Sequence, residues 1–331
     1  MELLAKTGVA TENFLGFQGF DIYWYGILIA TGFALAFAIC TYFSRKRNFP
    51  KDMTTDLLMI AIIGAIIGAR GYYVAFEWDR YCVSGNFFAT LGRIVSIRDG
   101  GLAIYGGVIG AVIGMAIYAA RKKYKLAQLL DLCAGPLALG QAIGRWGNFF
   151  NQEAHGALVK NPNLQFFPYA VYLDSPKDPS DVVGWYQATF FYESAWCFLI
   201  FAFLTVLFFK QKYRGQAVLW YLALYGFERG IVEWLRTDQL QIFGLPVSAL
   251  LSIGLCLIAT AFLIVFKVKG RQNELCYVAP SASENAPNEA EASAEEKAEA
   301  PNEAEASAEE KAEAPDEANK ENAEDASNDE K

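Results

Sequence analysis

The stretch Gly244-Leu245-Pro246-Val247-Ser248-Ala249-Leu250-Leu251-Ser252-Ile253-Gly254-Leu255-Cys256-Leu257-Ile258-Ala259-Thr260-Ala261-Phe262-Leu263-Ile264-Val265-Phe266 contains no charged side chain, and Lys267, Lys269 and Arg271 follow it at once. A helix crosses a hydrocarbon core with about 20 apolar residues. The segment therefore reads as a membrane helix with cations at one end. Upstream, six more runs have the same character, at residues 22–42, 57–76, 101–120, 127–143, 189–209 and 216–235. A soluble chain would show amphipathic stripes or alternating strands instead. The expected fold is an all-α polytopic membrane protein with seven transmembrane helices.

Basic residues orient these helices. Arg45, Lys46, Arg47 and Lys51, then Arg121, Lys122, Lys123 and Lys125, then Lys210, Lys212 and Arg214, then Lys267, Lys269 and Arg271 follow spans one, three, five and seven. Positive charge marks the cytoplasmic side, so the N-terminus is expected outside and the C-terminus inside. The first twenty residues, with Lys6 and Glu12 and no small-residue cleavage pattern, do not read as a removed signal peptide.

Downstream of the last span the chain changes character. Residues 272–331 hold 19 acidic and 4 basic residues, net −15, whereas residues 1–271 carry net +7. The unit from Ala286 to Glu299 recurs unchanged from Ala300 to Glu313. So charged and apolar-poor a repeat cannot offset its ordering entropy and is expected to be disordered. The chain thus divides into a membrane domain, 1–271, and an acidic tail, 272–331. The tail is a solvated appendage or an arm for a basic partner.

Cys40, Cys133, Cys197 and Cys256 lie within spans, Cys82 near the outer surface and Cys276 on the cytoplasmic side, with no disulfide or metal spacing. A single histidine, His155, offers no imidazole cluster. Neither a metal nor another cofactor is expected, nor a nucleic-acid partner.

Polar chemistry is concentrated in few places. Just after the fourth apolar run comes Gly144-Arg145-Trp146-Gly147-Asn148-Phe149-Phe150-Asn151-Gln152-Glu153-Ala154-His155-Gly156. It places a cation, carboxamides, a carboxylate and an imidazole at a bilayer surface, either as a snorkelling Arg with a polar loop or as the lining of a site. In the sixth span Tyr225, Arg229, Glu233 and Arg236 are spaced by four, four and three, so they share one helix face. Such a stripe in lipid must face protein or water. It is either a structural Arg229–Glu233 pair or an anion site whose cation the carboxylate orients. Arg70, Asp131 and Glu193 are further ionisable groups in apolar surroundings, as mutual partners or ligand contacts, and Trp24 and Tyr25 could serve as interfacial anchors. Gly106, Gly110 and Gly114, one turn apart, have the spacing of tight helix packing.

Together with Trp24-Tyr25-Gly26, Gly100-Gly101, Tyr105-Gly106-Gly107 and the stretch Gln187 to Ser194, these segments resemble bacterial prolipoprotein diacylglyceryl transferases. The resemblance extends from about Phe17 to Val268. It implies an inner-membrane enzyme that moves the diacylglyceryl group of phosphatidylglycerol onto the thiol of a lipobox cysteine in the signal peptide of a preprolipoprotein, releasing glycerol phosphate. The site would open to the outer leaflet, as the charge-derived topology places it.

Carried over residue by residue, the resemblance implies Arg145, Asn148, Glu153, Gly156, Tyr25, Tyr225, Arg229 and Glu233 as site residues. Arg145 and Arg229 suit the leaving phosphate, since planar guanidiniums stabilise charge growing on its oxygens. Glu153 or Glu233 would serve as base for a thiol of ordinary pKa about 8.5, or the arginine field alone would lower it. Tyr25, Arg145, Asn148, Gly156, Tyr225 and Arg229 would hold the lipid headgroup. Many members have a histidine where this chain has Tyr105, so an imidazole base is absent there; a phenol, with pKa about 10, makes a poor one. Glu228 likewise replaces an apolar or small residue. The competing reading is a membrane carrier for an anionic solute, which would predict paired broken helices in two halves.

Overall fold

A computed structural model describes residues 9–11, 22–82, 85–96, 100–177, 181–237, 241–242 and 245–270. The acidic tail lies outside the described residues, and so does the expectation of disorder placed on it.

Nine α-helices are described: α1 (Trp24–Lys46), α2 (Met53–Phe76), α3 (Trp78–Tyr81), α4 (Phe87–Val95), α5 (Ile104–Arg121), α6 (Leu126–Phe150), α7 (Thr189–Lys210), α8 (Gln216–Val232) and α9 (Val247–Val268). Short antiparallel strand pairs complete the order: β1 (Val9–Thr11) with β2 (Ile22–Tyr23), β3 (Ala170–Leu173) with β4 (Gly184–Gln187), and β5 (Gln241–Ile242) with β6 (Leu245–Pro246). Six of the helices, α1, α2, α5, α6, α7 and α9, are long and apolar enough to cross a membrane. The seventh expected span is shorter than its apolar run. α8 stops after 17 residues and tightens into a 3-10 turn, Glu233–Leu235.

Several helix bounds differ from the hydropathy reading, three of them near the candidate site or the α2–α5 pair. α5 begins at Ile104 because Gly100 and Gly101 adopt φ of 81° and 78°, a left-handed turn that only glycine enters without cost. α2 starts four residues early, at Met53. α6 does not end at Ile143 but continues to Phe150, so Arg145 and Asn148 ride on its last turns and not in a loop. The aromatics in that extension hold it helical. Trp146 and Phe149 pack edge-on and tilted against Phe190, with centroids at 5.5 and 5.2 Å, and Phe150 stacks on Trp24 at 5.3 Å.

α6 is the central and most buried of the long helices. Its Leu129, Leu132, Ala138 and Ala142 are almost fully enclosed by α1, α7 and α8. The other long contacts pair α2 with α5 and α8 with α9. Glycines make the first of these pairs. A Cβ at Gly110 would run into the carbonyl oxygen of Gly64, and one at Gly106 into that of Gly68. For Gly106, Gly110 and Gly114 the packing reading therefore holds. The outward faces, including Ile63, Ile67, Ile109, Leu257 and Ile264, are exposed and apolar, as a hydrocarbon solvent requires.

The helix ends sort by contact. Tyr25, at the start of α1, lies on Gly147 near the end of α6, and Gly32 faces Gly140, so these helices are antiparallel. A short turn links α1 to α2, and Ala103 donates to the Ala69 carbonyl where α5 begins. The end of α2 and the start of α5 thus lie at the same end of the bundle as Arg145.

Candidate active site

Glu193, on the first turns of α7, is 1% exposed and is approached by three guanidiniums. Arg229 Nη1 of α8 donates to both of its oxygens, at 3.0 and 2.9 Å. Arg145 Nη2 of α6 lies 2.6 Å from Glu193 Oε2, and Arg236 Nη1, just beyond the 3-10 turn, lies 3.8 Å from Oε1. Arg229 also reaches Glu233 Oε2 with its other nitrogen, at 2.5 Å but off the direction of a hydrogen bond. Three cations thus share the Glu193 and Glu233 carboxylates. Coulomb attraction is strong where water is scarce, so the guanidiniums are held in place before any ligand arrives.

Neighbouring hydrogen bonds set the frame. Trp146 Nε1 donates to Ser194 Oγ at 3.1 Å, and Ser194 donates on to the Ala142 carbonyl at 2.8 Å, locking α7 to α6 beside Glu193. Tyr225 stacks on Tyr221 at 5.5 Å, and its phenol is a hydrogen-bond neighbour of Arg145. Cys197 and Glu228 are buried in the same region, and neither carboxyl oxygen of Glu228 has a hydrogen-bond partner among the described residues. The structure offers no explanation for a carboxyl there.

The turn that follows α6 forms the rim. Glu153 Oε1 accepts from Asn148 Nδ2 at 3.3 Å and Asn151 Nδ2 at 3.0 Å, while Oε2 accepts from Lys177 Nζ at 2.6 Å. On either side of Glu153, Gln152 and Ala154 take φ of 50° and 58°, costly for residues other than glycine. Side chains enforce this path: Gln152 donates to Asp174 at 2.6 Å and accepts from the Ser175 N–H at 2.7 Å, and Thr189 donates to the Ala154 carbonyl at 2.7 Å. Gly156 N donates to the Gln187 carbonyl at 3.1 Å and bridges Arg236. A Cβ on Gly156 would stand 2.8 Å from that of Gln187.

Of the residues expected in the site, Arg145, Tyr225, Arg229 and Glu233 meet around Glu193. Asn148, Glu153 and Gly156 line the adjoining turn, with the Tyr25 ring against it at Gly147. Tyr105 stands apart, 41% exposed on the first turn of α5. Among the described residues no hydrogen bond or ion pair joins it to the arginine cluster. His155 is also outside it. Its Nδ1 is 3.1 Å from the Gly156 carbonyl, its Nε2 3.0 Å from Asp181, and its ring 4.3 Å from that of Tyr186, whose phenol is pushed up by burial.

Two functional residues go beyond what the sequence pattern indicates. Glu193 looked like one more isolated acid, yet it is the hub; its signal was a lone carboxylate inside an aromatic helix start. Arg236 belonged to the polar stripe but not to the expected site. Arg70 and Asp131, in turn, are not partners of each other. Asp131 accepts from the N–H groups of Gly215 at 2.6 Å and Val218 at 2.9 Å, capping α8, and Arg70 donates only to backbone carbonyls.

Fold and site together define a helical, multi-pass membrane protein whose buried charges converge at one end of the bundle. The chain belongs to the prolipoprotein diacylglyceryl transferase family, whose model matches residues 13–265. It is 42% identical over 250 residues to the phosphatidylglycerol–prolipoprotein diacylglyceryl transferase of Finegoldia magna, covering 75% of this chain and 93% of that one. Proteins of the same name from Bacillus cytotoxicus and Bacillus cereus are 40% identical over 261 residues, covering 77% of this chain and 92% of theirs.

Proposed function

We propose that this chain transfers the diacylglyceryl group of phosphatidylglycerol to a cysteine thiol of a prolipoprotein, within a seven-span bacterial inner-membrane domain whose site opens to the outer leaflet. The observation that carries this reading is the convergence of Arg145, Arg229 and Arg236 on one buried carboxylate where the spanning helices end. α8 with its 3-10 turn supplies the seventh crossing, 20 residues in all. The cysteine belongs to the lipobox of a signal peptide, which presents it at that face.

In this reaction the thiolate sulfur attacks the phosphate-bearing carbon of the diacylated glycerol. A C–S bond forms, the C–O bond breaks with its electron pair left on the phosphate oxygen, and glycerol phosphate departs. Charge grows on the leaving oxygens, so positioned guanidiniums stabilise the transition state more than the bound lipid. Arg145 and Arg229 take that role, with Glu193 and Glu233 fixing their planes. Glu153 takes the thiol proton. Its side chain is 26% exposed, against 4% for Glu233, which stays bound to Arg229. The proton then passes to the departing phosphate. Asn148, Tyr225 and Tyr25 orient the headgroup, and Gly156 keeps the rim open. Tyr105, a phenol standing apart from the cluster, does not serve as the base.

The test mixes purified protein with phosphatidylglycerol and a lipobox peptide, with phosphatidylethanolamine and Arg145→Ala as controls, and follows peptide mass with glycerol phosphate release. A diacylglyceryl mass gain that needs both phosphatidylglycerol and Arg145 is expected. Lipid and peptide binding without mass gain would overturn the reading and favour the anion carrier.

A further inference from the structure

A second cationic feature lies between α2 and α5, away from the Glu193 cluster. Arg70 is 6% exposed, and its guanidinium donates to five backbone carbonyls: Ile94 at 2.8 Å, Arg93 at 2.8 Å, Ser96 at 2.7 Å, Gly100 at 2.7 Å and Gly101 at 2.9 Å. An arginine has five N–H donors, so Arg70 is saturated. It ties the last turn of α4 and the chain after it to α2, and among the described residues its charge is matched by carbonyl dipoles alone, with the Tyr81 ring 4.8 Å away.

Beside it opens a cleft of about 590 Å3 whose lining includes Arg70, Arg80, Arg93, Tyr73 and Tyr81 and, among the described residues, no acidic side chain. Arg80 donates to Tyr73 Oη at 3.0 Å and has only a long contact, 3.8 Å, with Glu77; Arg93 donates once, to the Arg80 carbonyl at 3.3 Å. Most N–H groups of both guanidiniums have no protein partner among the described residues. α4 closes the cleft with Ala89, Gly92 and Arg93 at its border, and Ser96 just beyond the helix joins them. On the other side of this nine-residue helix Phe87, Phe88, Leu91 and Val95 are 72%, 82%, 43% and 66% exposed. That side is apolar, and it lies where the spanning helices α2 and α5 meet the bilayer surface. Such a helix rests in the interface plane, its apolar face among acyl chains and its cations at phosphate depth.

We propose that α4 lies in the membrane surface and that the Arg80–Arg93 cleft binds the phosphate of an anionic phospholipid, as a docking site separate from the Arg145–Arg229 cluster. The lipid's acyl chains run along the exposed face of α4 and its phosphate bridges the Arg80 and Arg93 guanidiniums. Binding here does not depend on the transfer reaction, so it is measured without turnover.

The experiment uses the full chain carrying Arg145→Ala and counts lipids retained by native mass spectrometry, supplying phosphatidylglycerol or phosphatidylcholine. Adding Arg80→Gln and Arg93→Gln together is expected to weaken phosphatidylglycerol retention roughly 30-fold. Phosphatidylcholine should be held poorly throughout, and Arg80→Lys with Arg93→Lys should restore most binding. Both positions are exposed, so an unchanged thermal melt checks the fold. Equal retention by the glutamine variant, equal retention of phosphatidylcholine, or full displacement by free glycerol phosphate would each overturn the proposal, the last by showing a soluble phosphate site.

Discussion

Asp131 and Glu193 are both carboxylates buried in apolar helices, 1% exposed each, and they are satisfied in opposite ways. Among the described residues Asp131 receives neutral donors only: the Gly215 and Val218 N–H groups and the Gln211 carboxamide, all around the first turn of α8. The helix dipole adds to this cap, and no cation remains over. Glu193 receives guanidiniums from α6 and from α8 with the turn beyond it, whose combined donors far exceed what one carboxylate can accept. A buried acid closed off by backbone amides is architecture. One that collects surplus cations builds a site for a second anion. Arg70 obeys the same rule from the other side, since its donors end on carbonyls and none remains for a ligand.

The largest break of this contrast comes from Arg229→Ala, expected to lower turnover by roughly 10²- to 10³-fold or more, measured as diacylglyceryl peptide formed per minute. Arg229→Lys should recover little of it, because a point charge cannot grip both Glu193 and a phosphate. If activity stayed within threefold of wild type, the cluster would belong with Asp131 as architecture.

Gly156→Ala should follow, with a loss of about tenfold or more, because the added methyl meets Gln187 and the rim must shift by an amount that matters to a reacting geometry. Its thermal midpoint should move little, which separates the effect from misfolding.

Asp131→Ala should do the reverse. Leaving the Gly215 and Val218 amides without their acceptor is expected to cost about 1–3 kcal/mol of stability, read as a lower unfolding midpoint in detergent, with turnover per folded molecule unchanged. Loss of turnover at full stability would erase the distinction between the two acids.

The smallest effect is expected from Glu228→Gln, which alters a carboxyl without partners and should change activity less than about threefold and stability by no more than about 1 kcal/mol.

Much of this was legible beforehand. The apolar runs, the cationic helix ends and the Tyr225, Arg229, Glu233 face depend on residues a few positions apart, where helix period and hydrocarbon thickness impose the pattern. Hydropathy falls at Gly144 and so places the end of α6 too early, whereas the helix is carried on by Trp146, Phe149 and Phe150 packing on residues of α1 and α7. α8 was read as longer because Glu233 to Leu235 continue the apolar run but close into a tighter turn.

By itself, then, the sequence determined how many apolar segments the chain has, which faces of them are polar, and which residue types gather at one end. Tertiary structure decided who meets whom. Glu193 and Arg229 are 36 positions apart, and Asp131 and Gly215 are 84 apart. Whether a buried charge ends on backbone amides or among guanidiniums depends on which helix packs beside it, and short-range patterning carries no record of that.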